Sequence, residues 1–201
     1  HLLSAINGAA VARGSSFLRD RLGRRVLPEG MTLIEDPHRP RNPASKLWDA
    51  EGLPSARKAL VEDGVLATWV LDLASARRLG LRSTGNAARG TSGTPSPAVT
   101  TVELTQGPAS REALMARMGT GFLVTSLIGS TINPNTGDYS RGASGFWVEG
   151  GRIVRPVNEG TIAGNLIDML ARLVPANDAR PHLTRVVPSL LVEEGMTVAG
   201  A

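Results

Sequence analysis

From Gly119 to Gly151 the chain reads GTGFLVTSLIGSTINPNTGDYSRGASGFWVEGG, two apolar runs on either side of an Asn-Pro-Asn-Thr-Gly segment. No other feature constrains the fold as tightly. Phe122–Ile128 is an apolar run of strand length, and Asn133–Asp138 carries the residues of a turn. Gly145–Val148 resumes an extended pattern, and Glu149-Gly150-Gly151 turns it into Arg152–Val157. Strands joined by connections this short pair antiparallel.

The same turn recurs along the chain. Val61-Glu62-Asp63-Gly64, Val148-Glu149-Gly150-Gly151 and Val192-Glu193-Glu194-Gly195 each end an apolar run in an acidic, glycine-closed turn. Such turns arise readily without common origin, but three of them predict a meandering antiparallel sheet. The first hairpin is Ala59–Val70 around Asp63-Gly64, where glycine supplies the positive φ of the turn. The third is Val187–Val192 with Met196–Val198. Shorter strands are expected at Met31–Ile34 and Val99–Leu104.

Helical spacing appears at Leu2, Leu3, Ile6 and Ala10, and again at Phe17, Leu18 and Leu22. This predicts a helix broken near Gly14 and ending at Gly23. Asp72 caps a helix to Leu79, closed by Gly80. Ser110 caps Arg111–Met118, with Glu112 placed against the helix dipole. Ile162, Leu166, Met169, Leu170 and Leu173 predict an amphipathic helix that Thr161 caps and Pro175 ends. Glu35–Pro43 reads as a loop. Ser83–Pro97, STGNAARGTSGTPSP, is too polar to pack and reads as a long surface loop. The expected class is α+β, an antiparallel or mixed sheet meander of hairpins packed with three or four helices.

Composition narrows the function. The 201 residues are 41% hydrophobic, with no run long enough to span a bilayer and no basic leader before an apolar core. Cysteine is absent, which excludes disulfides and thiolate metal sites and fits a reducing cytoplasm. The net charge of +4 comes almost wholly from arginine, Lys46 and Lys58 being the lysines. The arginines are scattered among acids and only 3% of residues are aromatic, a pattern of solvated basic surface and not of a base-stacking nucleic-acid site. His1 opens an apolar stretch with no cap ahead of it, so the sequence reads as the interior of a longer protein.

Catalytic patterns are sparse. His1, His38 and His182 form no metal-binding spacing; His38 and His182, beside prolines, read as exposed. Ser144 sits in Gly-Ala-Ser-Gly, which falls short of a nucleophile elbow, and reads as a turn or strand residue. Gly119-Thr120-Gly121 lacks the Lys-Ser/Thr of a phosphate loop. Asp138-Tyr139-Ser140-Arg141 carries more information, since Tyr139 is the chain's lone tyrosine. Arg141 offers a rigid fork. It either pairs with Asp138 across the turn, the favoured reading, or forms with Asp138 and Tyr139 a hydrogen-bonding wall beside a peptide groove.

The central segment, with Leu3-Ser4-Ala5-Ile6-Asn7-Gly8, Gly14-Ser15-Ser16-Phe17-Leu18, Thr161–Leu166, Pro188–Val192 and Met196–Gly200, resembles the TldE/PmbA branch of the TldD/PmbA family over nearly the whole chain. The resemblance implies the C-terminal domain of such a protein over residues 1–201, with the N-terminal domain absent. It implies one half of a cytoplasmic zinc protease acting on unfolded or leader peptides, microcin precursors and an antitoxin among them, for a family also labelled modulator of DNA gyrase. In that family TldD carries His-Glu-x-x-x-His on the helix matching the start of this chain, and a downstream cysteine ligand. Aligned through Arg13-Gly14-Ser15-Ser16, the second histidine falls at Ser4, the first precedes His1, and the cysteine has no counterpart.

The resemblance therefore implies a non-catalytic subunit with no cofactor of its own and zinc held by a TldD-like partner. That partner would form a heterodimer with it; a homodimer is the alternative. The helix Ile162–Val174 and the loop Ser83–Pro97 are the candidates for interface and channel lining, respectively. Two further readings stand beside this one. The first is a non-proteolytic modulator binding gyrase or an antitoxin-related target. The second is a self-sufficient peptidase using residues outside this sequence.

Overall fold

The computed structural model describes residues 1–200, and the side chains of all of these but Ser130 and Thr131. Along residues 1–105 run α1 (Leu2–Ala5), α2 (Gly8–Ala12), β1 (Leu33–Glu35), β2 (Lys58–Glu62), β3 (Val65–Leu66), α3 (Leu73–Leu79), β4 (Ala87–Ala88), β5 (Ser96–Pro97) and β6 (Val102–Leu104). Then follow α4 (Arg111–Met118), β7 (Gly121–Ile132), β8 (Asp138–Glu149), β9 (Arg152–Asn165), α5 (Leu166–Ala171), β10 (Leu173–Pro175), β11 (Arg185–Val186), β12 (Leu190–Val192) and β13 (Met196–Ala199). The chain divides into two units: residues 1–105 with 180–187, and residues 106–179 with those from Pro188 on. Its class is α+β, with antiparallel and mixed sheets.

The first unit holds a five-stranded sheet in the order β11-β6-β1-β2-β3, antiparallel except where β11 runs parallel to β6. Its hairpin turns at Asp63 and Gly64, whose φ values of 46° and 77° are both left-handed. That pair matches the strand twist and explains the Asp-Gly dipeptide. The turn is also tightly packed: a Cβ on Gly64 would lie 2.4 Å from the Leu27 carbonyl oxygen. Leu60, Val61 and Leu66 flank it, completely buried.

In α3, Asp72 Oδ1 accepts from the Ser75 amide at 2.7 Å, and Ser75 Oγ reaches back to the Asp72 amide at 3.2 Å. Gly80, at φ 66°, closes the helix as predicted. Asp72 is buried, so its loss leaves orphan donors without water to satisfy them. Asp72→Ala is expected to lower unfolding free energy by about 1–2 kcal/mol, read as a shift of the urea midpoint at unchanged slope.

Several expectations for this unit are corrected. The N-terminal helix does not run to Gly23. It breaks at Asn7, whose side-chain oxygen accepts from the Ala9 amide and starts a second helix. That helix stops at Ala12. Ser16 Oγ then donates to the Ala5 carbonyl and accepts from the Leu18 amide, bonds that compete with helix continuation. The segment Ser83–Pro97 is not all surface loop. Asn86 and Ala87 are buried, and β4 pairs with β5. Its polarity is accommodated because Asn86 Nδ2 donates to both oxygens of Glu35 at 2.8 Å. Glu35, expected to open a loop, ends β1 with no solvent exposure.

The second unit is built on an antiparallel sheet in the order β13-β9-β8-β7. The meander β7-β8-β9 is the predicted one, with strands of 12, 12 and 14 residues. Here too helices fall short of expectation. Ile162 belongs to β9, and the helix is only α5, capped by Asn165 and not by Thr161. Asn165 Oδ1 accepts from the Ile167 amide at 2.9 Å, while its Nδ2 is held by the Thr136 carbonyl at 3.0 Å. The cap thus fixes where strand becomes helix. Leu173–Pro175 is strand β10. The expected hairpin of Val187–Val192 with Met196–Val198 does not form: β12 pairs with β10, and β13 pairs with β9. An acidic-glycine turn reverses the chain equally well between strands of different sheets, so the motif could not fix the pairing.

Candidate functional site

Ser4, where the family resemblance places a zinc histidine, lies exposed in the single turn of α1. Among the described residues no three of His, Cys, Asp or Glu come together. A hydroxyl-bearing serine with no nitrogen, thiolate or carboxylate set around it does not fit the zinc that the resemblance implies. His38 and His182 are exposed, as expected.

The Asp138-Tyr139-Ser140-Arg141 segment lies at the start of β8, and strand alternation divides it between two faces. Tyr139, Arg141 and Ala143 share one face, with Tyr139 and Ala143 buried; Asp138 and Ser140 are exposed on the other. The expected Asp138–Arg141 pair is therefore not made. Asp138 instead accepts from Thr136 Oγ1 at 2.6 Å and Asn165 Nδ2 at 3.1 Å, bonds that hold its carboxyl below the usual carboxylate range. Arg141 acts on Tyr139, and its buried Nε has no hydrogen-bond partner among the described residues.

Burial pushes the Tyr139 hydroxyl above its ordinary value near 10, and Arg141, by charge and hydrogen bond, pulls in the opposite direction without prevailing. The raised folded value sets the sign of the pH dependence. This contribution to stability is complete below the unfolded value and is lost as pH rises through the folded one. Because the chain has one tyrosine, alkaline titration followed by tyrosinate absorbance should show one transition displaced upward from free tyrosine. It should return to the ordinary value in denaturant.

The same unit contains a cavity of about 550 Å³ that sequence reasoning missed, bordered by α4, β7, β9, α5, β12 and β13. Met115, Met118, Met169 and Met196 line it, four of the five methionines in the chain, with Phe122 and Ile162. Methionine side chains adapt to varied apolar shapes, and the volume is in the range of small-molecule and peptide-side-chain pockets. At its rim the Arg117 Nε–Glu193 Oε1 ion pair is 2.6 Å long. Arg141 lies directly across from Ile162 in the β8–β9 register. Tyr139 and Arg141 thus sit on the sheet face that carries the cavity, and Asp138 faces away. The lining residues are far apart in sequence and share no local period, so composition was the one available signal: methionines concentrated after residue 114.

The profile of the PmbA/TldA metallopeptidase C-terminal domain matches residues 1–200. This chain belongs to that family. As a PmbA/TldD-family chain it is 42% identical to the metalloprotease PmbA of Escherichia coli O157:H7, over all of this chain and 42% of that protein. The PmbA homolog of Haemophilus influenzae is 40% identical over all of this chain and 43% of its own length. Among solved structures, TldE from Thermococcus kodakarensis superimposes with a TM-score of 0.85 at 28% identity, covering 100% of this chain and 46% of that one. A Bacteroides thetaiotaomicron protein designated a modulator of DNA gyrase gives a TM-score of 0.87 at 30% identity, covering 100% and 43%. The chain spans less than half the length of these relatives.

Proposed function

We propose that this chain is part of a TldE/PmbA-like subunit that does not itself hold the catalytic metal and works beside a TldD-like mate on unfolded or leader peptides in the cytoplasm. The observation that carries the reading is the missing donor set. Serine stands where a zinc histidine would be, cysteine is absent, and no cluster of ligating side chains forms among the described residues. Hydrolysis then requires zinc and its activated water from the companion chain. This chain would hold the substrate and close the site around it. Tyr139 and Arg141 remain candidates for contact with an extended peptide; Asp138, on the opposite face, fits a structural part in the turn.

The test is reconstitution. The full-length protein alone should leave an unfolded peptide intact, and cleavage should appear on adding a TldD-like mate with zinc. Cleavage by the protein alone would contradict the reading. The designation of the Bacteroides relative favours a second reading, a non-proteolytic modulator. Under it, gyrase would be captured equally well with the mate absent, and no peptide would be cut in any combination.

A further inference from the structure

The basic excess of the chain lies in one unit. Residues 1–105 with 180–187 hold 16 Lys and Arg against 10 Asp and Glu, a net +6, whereas the other unit holds 6 against 8, a net −2. Within the first unit three arginines fall close together: Arg77 and Arg78 in the last turn of α3, and Arg82 just past the Gly80 cap. All three are exposed, and none is in an ion pair among the described residues. The helix dipole accounts for the two in the last turn. It accounts neither for Arg82 nor for the apolar surface beside it.

Ser75 of α3 faces Gly8 of α2, where a Cβ would lie 2.8 Å from the Ser75 hydroxyl oxygen. Leu73 and Arg77, about 200° round the helix from Ser75, are exposed. There Leu53, Leu73, Ala76 and Leu81 floor a shallow groove of about 470 Å³, with Arg77 and Arg82 at its rim. The apolar surface continues on the loop that carries Leu53. The Asp49 amide donates to the Leu53 carbonyl and Trp48 bridges to Pro54, which leaves Leu47 and Trp48 69% and 60% exposed. Single exposed apolar residues are ordinary, but a contiguous patch with a polar rim marks a contact surface.

We propose that this groove docks an acidic amphipathic helix of another protein, with leucine-sized side chains between Leu53, Leu73 and Leu81 and carboxylates on Arg77 and Arg82. Rim and floor together select that occupant. Arginine forks pair with carboxylates, and the groove follows α3 from Leu73 to Leu81, as a second helix packing on it would. An aliphatic floor gives the bases of a nucleic acid no aromatic face to stack on. A bilayer takes up side chains that project from a protein, whereas a groove takes up those of its partner. The surface includes neither Tyr139 nor Arg141, so this docking is independent of the peptide contact proposed above.

The test uses the full chain with 15N-labelled tryptophan indoles and a capped helical peptide bearing leucines at helical spacing with glutamates on either side. The Trp48 indole signal should shift saturably, while that of Trp147, in the other unit, stays still. The same peptide with lysine for glutamate should not bind, and added salt should weaken the glutamate peptide. The double variant Arg77→Glu with Arg82→Glu should bind at least about tenfold more weakly. Both positions are exposed, so its unfolding midpoint should match the parent's and mark the loss as one of docking. Arg77→Gln with Arg82→Gln should weaken binding in the same direction and serves if charge reversal disturbs α3. Absence of saturable shifts at Trp48, equal binding of the lysine peptide, or parental affinity in a folded double variant would each overturn the proposal. So would tighter binding to a single-stranded oligonucleotide or to phosphatidylglycerol vesicles than to the peptide.

Discussion

Replacing Glu35 by alanine is expected to destabilise the protein by about 4 kcal/mol, the scale for breaking a buried charge network. Glu35 is fully buried at the end of β1. Its Oε1 accepts from the Thr100 amide at 2.7 Å and Thr100 Oγ1 at 3.1 Å, both oxygens accept from Asn86, and Lys58 Nζ lies 3.1 Å from Oε2. One carboxylate thus ties β1 to β2 and to the polar segment around Asn86. Alanine leaves the buried Thr100 amide and hydroxyl without this acceptor and Asn86 Nδ2 with the Ala98 carbonyl alone, at a cost of about 1–3 kcal/mol for each unsatisfied group. Against a total stability of about 5–15 kcal/mol, that is a large fraction. Urea unfolding followed by the buried Trp69 reads it directly. Glu103→Ala, on the exposed face of β6, should change the midpoint little. A Glu35→Ala variant as stable as the parent would mean the network adds nothing.

The second large effect belongs to Gly145. A Cβ there would lie 2.0 Å from the Leu123 carbonyl oxygen and 3.0 Å from the Thr125 amide nitrogen, both backbone atoms of the neighbouring strand. The position falls where the registers of β8 with both neighbours shift, between Ala143 and Gly145 on one side and Val124 and Ser126 on the other. Backbone cannot step aside as a side-chain tip can, so Gly145→Ala must open the β7–β8 ladder at its bulge. A loss of about 3 kcal/mol is expected, the upper part of the range for overpacking. Gly142→Ala is the control. Its Cβ would meet Ile128 Cβ at 3.5 Å, ordinary contact, so it should be tolerated. Equal unfolding midpoints for the two variants would refute the close-approach argument.

What the sequence made legible was local. Asp-Gly at 63–64, the Asp72 and Ser110 caps and the Asn133–Asp138 turn are each determined by a few adjacent residues, and each stands where it was expected. Failures came where distant residues decide. Ile162 has helical spacing to Leu166, yet hydrogen bonding to β8 and β13 holds it in a strand up to the Asn165 cap. Residues 83–97 look unpackable until Glu35 supplies a buried acceptor from 51 positions away. The acidic-glycine turn at 193–195 was recognisable as a reversal, but the partners of β12 and β13 were not. The division of Tyr139 and Arg141 from Asp138 followed only once the strand was known to include all three. The methionine cavity, assembled from α4, β7, β9, α5, β12 and β13, had no signature in any single stretch.

The central claim is that the metal for any peptide hydrolysis comes from another polypeptide. Elemental analysis of the full-length protein, purified without a TldD-like mate and dialysed against micromolar zinc, tests it most directly. The account predicts far less than one zinc per chain, with stoichiometric zinc appearing only in the complex with the mate. One tightly held zinc per chain in the isolated protein would contradict it.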